Sequence, residues 1–492
     1  MLDFHHPREA ARWLAGQVDG TLHCDSRKLQ PGDGFIAWPG AATDGRQFVR
    51  EALARGAAAC LVEAEGAESF AFDSPQVAGY RGLKNATSLV AAEYYGHPSE
   101  QIDVLAVTGT NGKTSTAWWL AQALSGVKPH PIGCAVIGTL GTGQPPHVHS
   151  TGLTTPDPVL LQRELRRFAD AGLGACAMEA SSIGIAEHRM DGMRIRTAIF
   201  TNLTQDHLDY HGTMQAYWEA KRMLFRWPGL QAAVVNVDDE KGGELHDELK
   251  DAGMDLWSVS CLGPARLRAL DIAHATEGLA FTVAENGDRE TLRTQLVGQY
   301  NVSNLLGVIA AMRTLGVSLA RAVEACHALL PVPGRMERIG LPGQPLVAVD
   351  YSHTPDALDK ALAALRPLAR ERGGKLWCVF GCGGDRDPVK RPIMAAVAEK
   401  GADHVVVTSD NPRGEKPEAI ICQILLGLSH NECVNVQADR ARAIRESIAQ
   451  AAAEDVILIA GKGHEDYQEI AGVKHPFSDQ AHAREALEER RA

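Results

Sequence analysis

Residues 105–124, LAVTGTNGKTSTAWWLAQAL, constrain the fold of this chain more than any other stretch. Leu105, Ala106 and Val107 form a short apolar run of the kind a buried strand shows. Seven residues, GTNGKTS from Gly109 to Ser115, then lead into a helix-like pattern over 116–124. Strand, glycine-rich turn and helix start make a phosphate-binding loop. Glycines admit close backbone approach, the first helical N–H groups face an anion, and a lysine reaches the terminal phosphates. Gly109, Thr110, Asn111, Gly112, Lys113, Thr114 and Ser115 are therefore candidate ATP contacts, with the Thr114 hydroxyl on Mg²⁺. The pattern departs from the usual loop at Val107, where a first glycine is expected.

At 492 residues the chain exceeds a single core, and its length predicts about three domains. A net charge of −12 offers no dominant basic face, which argues against a nucleic-acid partner. Ten cysteines without a C-x-x-C pair suit reduced thiols in a cytoplasmic enzyme. No apolar run approaches 18 residues and the N-terminus has no continuous apolar core, so neither a membrane span nor a signal peptide is expected.

Residues 1–100 read as a small α/β unit: helices over 6–16, 48–56 and 88–95, strands within 24–38 and 57–63, and a break at 97–99. Strands and helices then alternate, as in a doubly wound parallel sheet. The Gly/Pro/His-rich passage 133–158, with LTTPDP at its end, reads as a long functional loop. A buried strand ending in Glu179 puts a carboxylate beside the phosphate loop, where a Mg²⁺ ligand or a capping acid would sit. Residues 198–212 run from a strand into a polar loop containing His207, and Lys221 follows on a helix starting near Met214. By itself Lys221 reads as a solvated surface charge. Asn301 and Asn304 lie one turn apart on one helix face, as caps or as readers of an adenine edge. From residue 331, four apolar strands each enter a polar loop: DYSHTPDA, GCGGDRDP, SDNPRGEKP and GKGHEDY. Gly381–Arg386 fails the dinucleotide glycine test at Arg386.

Eleven such pieces stand in order: DSR, TGTNGKT, TTP, MEASS with HR, TNLTQDHLDYHG with a later K, NVSNLL, PGRME, DYSHTPDAL, GCGGDRD, DNPR and GKGHEDYQ. Together they resemble the Mur ligase family over nearly the whole chain. The resemblance implies a UDP-sugar-binding domain (1–100), a central phosphate-loop ATPase-like domain with a parallel sheet (101–330) and a Rossmann-like C-terminal domain that binds the amino acid (331–492). It implies an ATP-dependent ligase that joins meso-diaminopimelate to UDP-N-acetylmuramoyl-L-alanyl-D-glutamate through an acyl phosphate, in cytoplasmic peptidoglycan precursor synthesis. Catalysis would rest on Lys113, Glu179, His207 and Lys221, with Lys221 carbamylated and Thr114, Glu179, His207 and Lys221 around Mg²⁺. Adenine and ribose would meet Asn301, Asn304, Arg335 and Asp350. The UDP-sugar would meet Ser26, Thr154, Thr155, Ser181, Glu187 and Arg189. Diaminopimelate would meet Arg386, Asp410, Asn411, Pro412, Arg413, Gly461 and Glu465. Two positions depart from the usual pattern: Ile183 replaces a histidine, and Glu187 replaces a glutamine beside an anionic substrate. A monomer is the expected state. The competing readings are a lysine-adding or folylpolyglutamate-synthase-like ligase of the same fold, and a non-ligase nucleotide-binding regulator. A guanine-nucleotide switch would carry N-K-x-D, which this sequence lacks.

Overall fold

The computed structural model describes residues 1–40, 43–275, 278–340, 343–429 and 434–491. Three main sheets organise them, of five, eleven and six strands. In the first, Leu2–Phe4, Val77–Tyr80, Ala59–Glu63, Gly34–Ala37 and Leu22–His23 lie side by side, all parallel. The sequence reading misses Leu2–Phe4, Val77–Tyr80 and Leu22–His23, whose two to four residues carry little periodicity. The helix expected over 88–95 begins earlier, at Leu83. The break at 97–99 is docked: Pro98–Glu100 forms a 3₁₀ turn and the Ser99 hydroxyl accepts from Arg194 N at 2.9 Å.

The central sheet is built around Asp103–Thr108, flanked by Ala175–Glu179 and Thr197–Phe200 in parallel register. Its side chains alternate between two cores. Leu105 and Val107 pack with Trp118, Trp119 and Leu305 from the helices Lys113–Gly126 and Tyr300–Thr314. Val104 and Ala106 pack with Leu161, Phe168 and Trp218 on the other face. A strand buried on both faces reads as a continuous apolar run, as the sequence does here. The register pairs Glu179 with Val107 and Phe200 with Thr108, so three strand ends meet at the phosphate loop.

The expectation of a long loop over 133–158 is corrected. Cys134–Gly138 pairs in parallel with Ala175–Glu179, and Gly141–Gln144 and His147–His149 extend the sheet beyond it as an antiparallel edge. Glycines at 138, 141 and 143 hide the apolar/polar alternation that would have disclosed these strands. Only the part after residue 149 is loop, ending where Asp157 caps the helix Pro158–Asp170. The opposite edge also carries antiparallel strands, Leu267–Ala275, Gly278–Glu285 and Asp288–Thr294. In the third sheet Leu346–Asp350, Val456–Ala460, Leu376–Phe380 and His404–Val407 are parallel neighbours, as their apolar runs imply.

Candidate active site

A cavity of about 450 Å³ opens where the central strands end, walled on its far side by the third sheet and its helix Pro355–Arg372. The phosphate loop forms its floor. Two glycines there have no substitute. A Cβ on Gly109 (φ +147°) would lie 1.9 Å from Thr201 Oγ1, and one on Gly112 (φ +85°) 2.4 Å from Asn304 Oδ1. The helix starts at Lys113, three residues before the apolar pattern begins, so Lys113 and Thr114 occupy its first turn.

Lys113 Nζ donates to the carbonyls of Gly109 and Thr110, both at 2.8 Å. Lys221 Nζ, far from the solvated charge its sequence context implies, is 1% exposed and donates to the same Gly109 carbonyl at 2.8 Å. It also lies 4.2 Å from the Tyr217 ring centroid. Burial, then the Lys113 charge, drives the Lys221 pKa well below that of an ordinary lysine. Burial likewise lowers Lys113, against the pull of Glu179 and Asp206. Glu179 Oε2 accepts from the Thr114 hydroxyl at 2.9 Å, and Oε1 accepts from Thr139 N at 2.7 Å.

Asp206, which sequence reasoning passed over, stands between His207 Nε2 (3.5 Å) and His353 Nε2 (3.9 Å). Burial acts to raise its pKa, but His353, His207 and Lys390 outweigh this and hold it low. Burial lowers His207. Among the described residues no three His, Cys, Asp or Glu side chains cluster as a self-sufficient metal site. Mg²⁺ does not need one, because it keeps waters and substrate phosphates beside one or two carboxylates. Thr114 with Glu179 is a hard-oxygen pair of that kind, so these residues fit the ion.

Asn304 Nδ2 donates to Asn301 Oδ1 (2.9 Å), and Asn301 Nδ2 to Val297 O (2.7 Å), which stiffens this wall. Arg335 reaches across from the third unit: Nη2 donates to the Thr114 hydroxyl at 3.2 Å while the guanidinium covers the Tyr351 ring at 4.4 Å. That places the guanidinium at the start of the phosphate-loop helix. Asp350 accepts from Met336 N (2.7 Å) and from the Ser352 hydroxyl, and burial raises its pKa.

Of the residues expected to meet the UDP-sugar, Thr154, Thr155, Ser181 and Arg189 form a strip beside Glu179. The hydroxyls of Thr154 and Thr139 lie 3.0 Å apart, and Thr155 Oγ1 donates to Glu179 O (2.7 Å) and accepts from Ser181 N (3.0 Å). Arg189 Nη1 donates to Thr155 O at 2.8 Å. Glu187 is explained by its partners: Lys84 of the first unit at 2.6 Å and the Tyr210 hydroxyl at 2.5 Å. The carboxylate is neutralised in place, which holds its pKa low. Ser26 is buried in the first unit, capped there by the Asp25 turn, and does not line the main cavity.

A second rim of polar and charged side chains lies at the carboxyl ends of the third sheet. Asn411 Nδ2 and Lys462 Nζ both donate to Glu465 Oε2 (2.8 and 2.9 Å), while Glu465 Oε1 faces the Tyr351 hydroxyl at 3.5 Å. Arg413 Nη1 donates to Gly384 O at 2.8 Å, and its Nε lies 3.6 Å from Glu469. A Cβ at Gly384 would lie 1.9 Å from Pro412 O, so the glycines of the GCGGDR turn let the Arg413 loop approach. Arg440, wholly buried with Asp479, donates to Ser409 O and Ala460 O, fixing the strand ends that lead into Asp410 and Gly461. Tyr351 joins the two regions, with Arg335 on its ring and Glu465 at its hydroxyl.

A phosphate loop whose lysine and threonine adjoin a strand-end carboxylate, roofed by a separate α/β unit, defines a three-domain nucleotide-dependent ligase. Comparison with known proteins gives the same class a family. The Mur ligase middle domain matches residues 107–312, the Mur ligase glutamate ligase domain 334–463, and the Mur ligase family catalytic domain 21–99. The chain is 64% identical over 487 residues to the UDP-N-acetylmuramoyl-L-alanyl-D-glutamate--2,6-diaminopimelate ligase of Acidovorax sp. (strain JS42), covering 98% of this chain and 97% of that one. A solved structure of a ligase of that name superposes with TM-score 0.65 at 35% identity, covering 96% and 95% of the two chains. MurF of Thermotoga maritima in complex with ADP shares the fold alone, with TM-score 0.67 at 19% identity and 97% of each chain covered. This chain belongs to the Mur ligase family.

Proposed function

We propose that this protein adds meso-2,6-diaminopimelate to UDP-N-acetylmuramoyl-L-alanyl-D-glutamate at the expense of ATP, in the cytoplasm, as a monomer. The observation that carries the reading is one cavity in which Lys113, Thr114, Glu179, Asp206, His207 and Lys221 converge, adjoining the Arg413–Glu465 rim through Tyr351. It is supported by the relative that shares 64% of its residues along nearly the whole chain. We assign nucleotide sugar to residues 1–100 with the Thr154–Arg189 strip, ATP to 101–330, and the incoming amino acid to 331–492.

Forming an amide from a carboxylate requires its oxygen to become a leaving group. The D-glutamyl γ-carboxylate oxygen bonds to the γ-phosphorus of ATP, the bond to ADP breaks, and an acyl phosphate results. The amine of diaminopimelate then attacks the acyl carbon, the tetrahedral intermediate expels inorganic phosphate, and the amine loses its proton. Several anions meet at this centre, so the protein's contribution is positioning and fixed positive charge. Lys113 and Arg335 lie where phosphate oxygens would arrive. Thr114 and Glu179, with His207 and Lys221, would hold Mg²⁺, which when bound neutralises phosphate charge. Lys221 suits carbamylation because burial favours its neutral amine: the nitrogen bonds to CO₂, one proton departs, and the amine becomes an anionic oxygen ligand. Arg413 and Arg386 offer guanidinium groups to the far carboxylate of diaminopimelate, and Glu465 Oε1 with the Gly461 carbonyl accepts from its ammonium.

The test is phosphate release with and without each substrate, with the product weighed by mass spectrometry. Release that requires both the UDP-sugar dipeptide and diaminopimelate, with a product heavier by one diaminopimelyl residue, is the expected result. Lysine used as efficiently as diaminopimelate would overturn the amino-acid assignment.

A further inference from the structure

Asn111 is pinned by its backbone. Its N–H donates to Asn202 Oδ1 (2.9 Å), and its carbonyl accepts from the Thr201 hydroxyl (2.6 Å) and Asn202 Nδ2 (3.0 Å). The side chain is thereby aimed out of the phosphate loop, and its Nδ2 donates at 3.0 Å to Asp356 Oδ2. Asp356 belongs to the third unit, in the first turn of the helix Pro355–Arg372. The same oxygen accepts from Lys360 Nζ at 2.8 Å, and Lys360 lines the main cavity. Arg335 touches the loop from the same unit at Thr114. The third unit therefore grips the loop on both sides of Lys113, at Asn111 and at Thr114.

We infer that Asp356 is a positioning residue that docks the third unit onto the phosphate loop through Asn111, setting the amine-bearing side of the site against the phosphate-bearing side. An i,i+4 pair such as Asp356–Lys360 would ordinarily be a weak helix-surface contact. What sets this one apart is the acceptor it presents to a loop side chain 245 positions away. Aligning two reactants held by different units is worth much in rate and little in ground-state affinity for either. Loss of the dock should therefore lower kcat and leave nucleotide affinity nearly intact. Arg335 keeps one contact, so the units do not separate altogether.

The inference rests on the ligase reading. Failure of the unmodified protein to ligate would defeat that reading, whereas a fully active Asp356 variant would defeat only this one. Asp356→Ala is expected to lower kcat roughly tenfold or more, the size of one charge-assisted hydrogen bond, with the dissociation constant for an ATP analogue within about threefold. Asp356→Asn keeps an oxygen for Asn111 and is expected to retain most of the activity. Hydrogen–deuterium exchange, measured without substrates, should rise in Asp356→Ala over residues 109–115 and 351–360 and nowhere else. If Asp356→Ala does not fold, Asp356→Ser, whose hydroxyl is too short to reach, carries the same expectations. Near-normal kcat in the alanine variant, an asparagine variant as impaired as alanine, or unchanged exchange at both segments would each overturn the assignment.

Discussion

Lys113 and Lys221 donate to one carbonyl oxygen, that of Gly109, yet they enter the chemistry differently. Lys113 opens the helix at the phosphate loop, where a cation faces phosphate by construction. Lys113→Ala should lower ligation about 10²–10³-fold, as loss of a preorganised transition-state charge does, with the folded state retained; kcat at saturating ATP is the measurement. Lys221 is buried against Tyr217, and burial drives its pKa well below that of a surface lysine, which favours the amine form that reacts with CO₂. ¹³C-NMR with labelled bicarbonate near pH 8 should show one carbamate signal that is missing from Lys221→Ala. That variant should be nearly inactive and partly rescued by short carboxylates. Full activity in Lys221→Arg would exclude the carbamate role, since a guanidinium keeps the charge that carbamylation removes.

At the scale of elements, strand ends decide what each loop can do. The turn 381–386 and the loop 410–413 come together because Gly381 and Gly384 have no side chain: a Cβ there would lie 2.5 Å from Thr408 O and 1.9 Å from Pro412 O. Arg413→Ala should raise KM for diaminopimelate steeply and erode its preference over lysine, while KM for ATP stays near its original value; competition assays with both amino acids read this directly. Beneath the same loops, Arg440 and Asp479 form an ion pair with both side chains fully buried, and Arg440 also holds Ser409 O and Ala460 O. Asp479→Ala strands a buried guanidinium. It should destabilise the third unit by about 3–5 kcal/mol, measured by denaturant unfolding. Elements also mark where reading the sequence failed. Strands rich in glycine at 141–144, or only two or three residues long at Leu2–Phe4 and Leu22–His23, carry too few side chains for a periodicity to register.

For the molecule as a whole, the cleft between the units sets a pH dependence. Tyr351 stands between His353, at 4.8 Å, and His464, at 5.3 Å. Burial lowers the pKa of His353 to about 4 and that of His464 to about 3, from an ordinary 6.5. Both are therefore neutral in the folded protein while the unfolded chain takes up protons below pH 6.5. Stability is complete above that pH and declines as pH falls through 6.5 towards 4 and 3. The unfolding midpoint should drop across this interval, and His464→Gln should flatten the slope.

Much of this protein was legible in its sequence alone. The phosphate loop, the strand ending in Glu179 and the four strand-to-loop transitions of the third unit are local patterns, written in apolar runs and glycine positions that neighbouring residues make unavoidable. Membership of the Mur ligase family followed from eleven such patterns in one order. Only tertiary structure decided the fate of charges. Lys221 lies on a helix whose sequence resembles a solvated one, and its burial comes from packing against a loop 112 residues earlier. Asp206, Arg335 and Asp356 likewise gain their settings from partners that no spacing rule links to them. Burial and Coulomb interactions depend on distance in space, and a sequence records distance only along the chain.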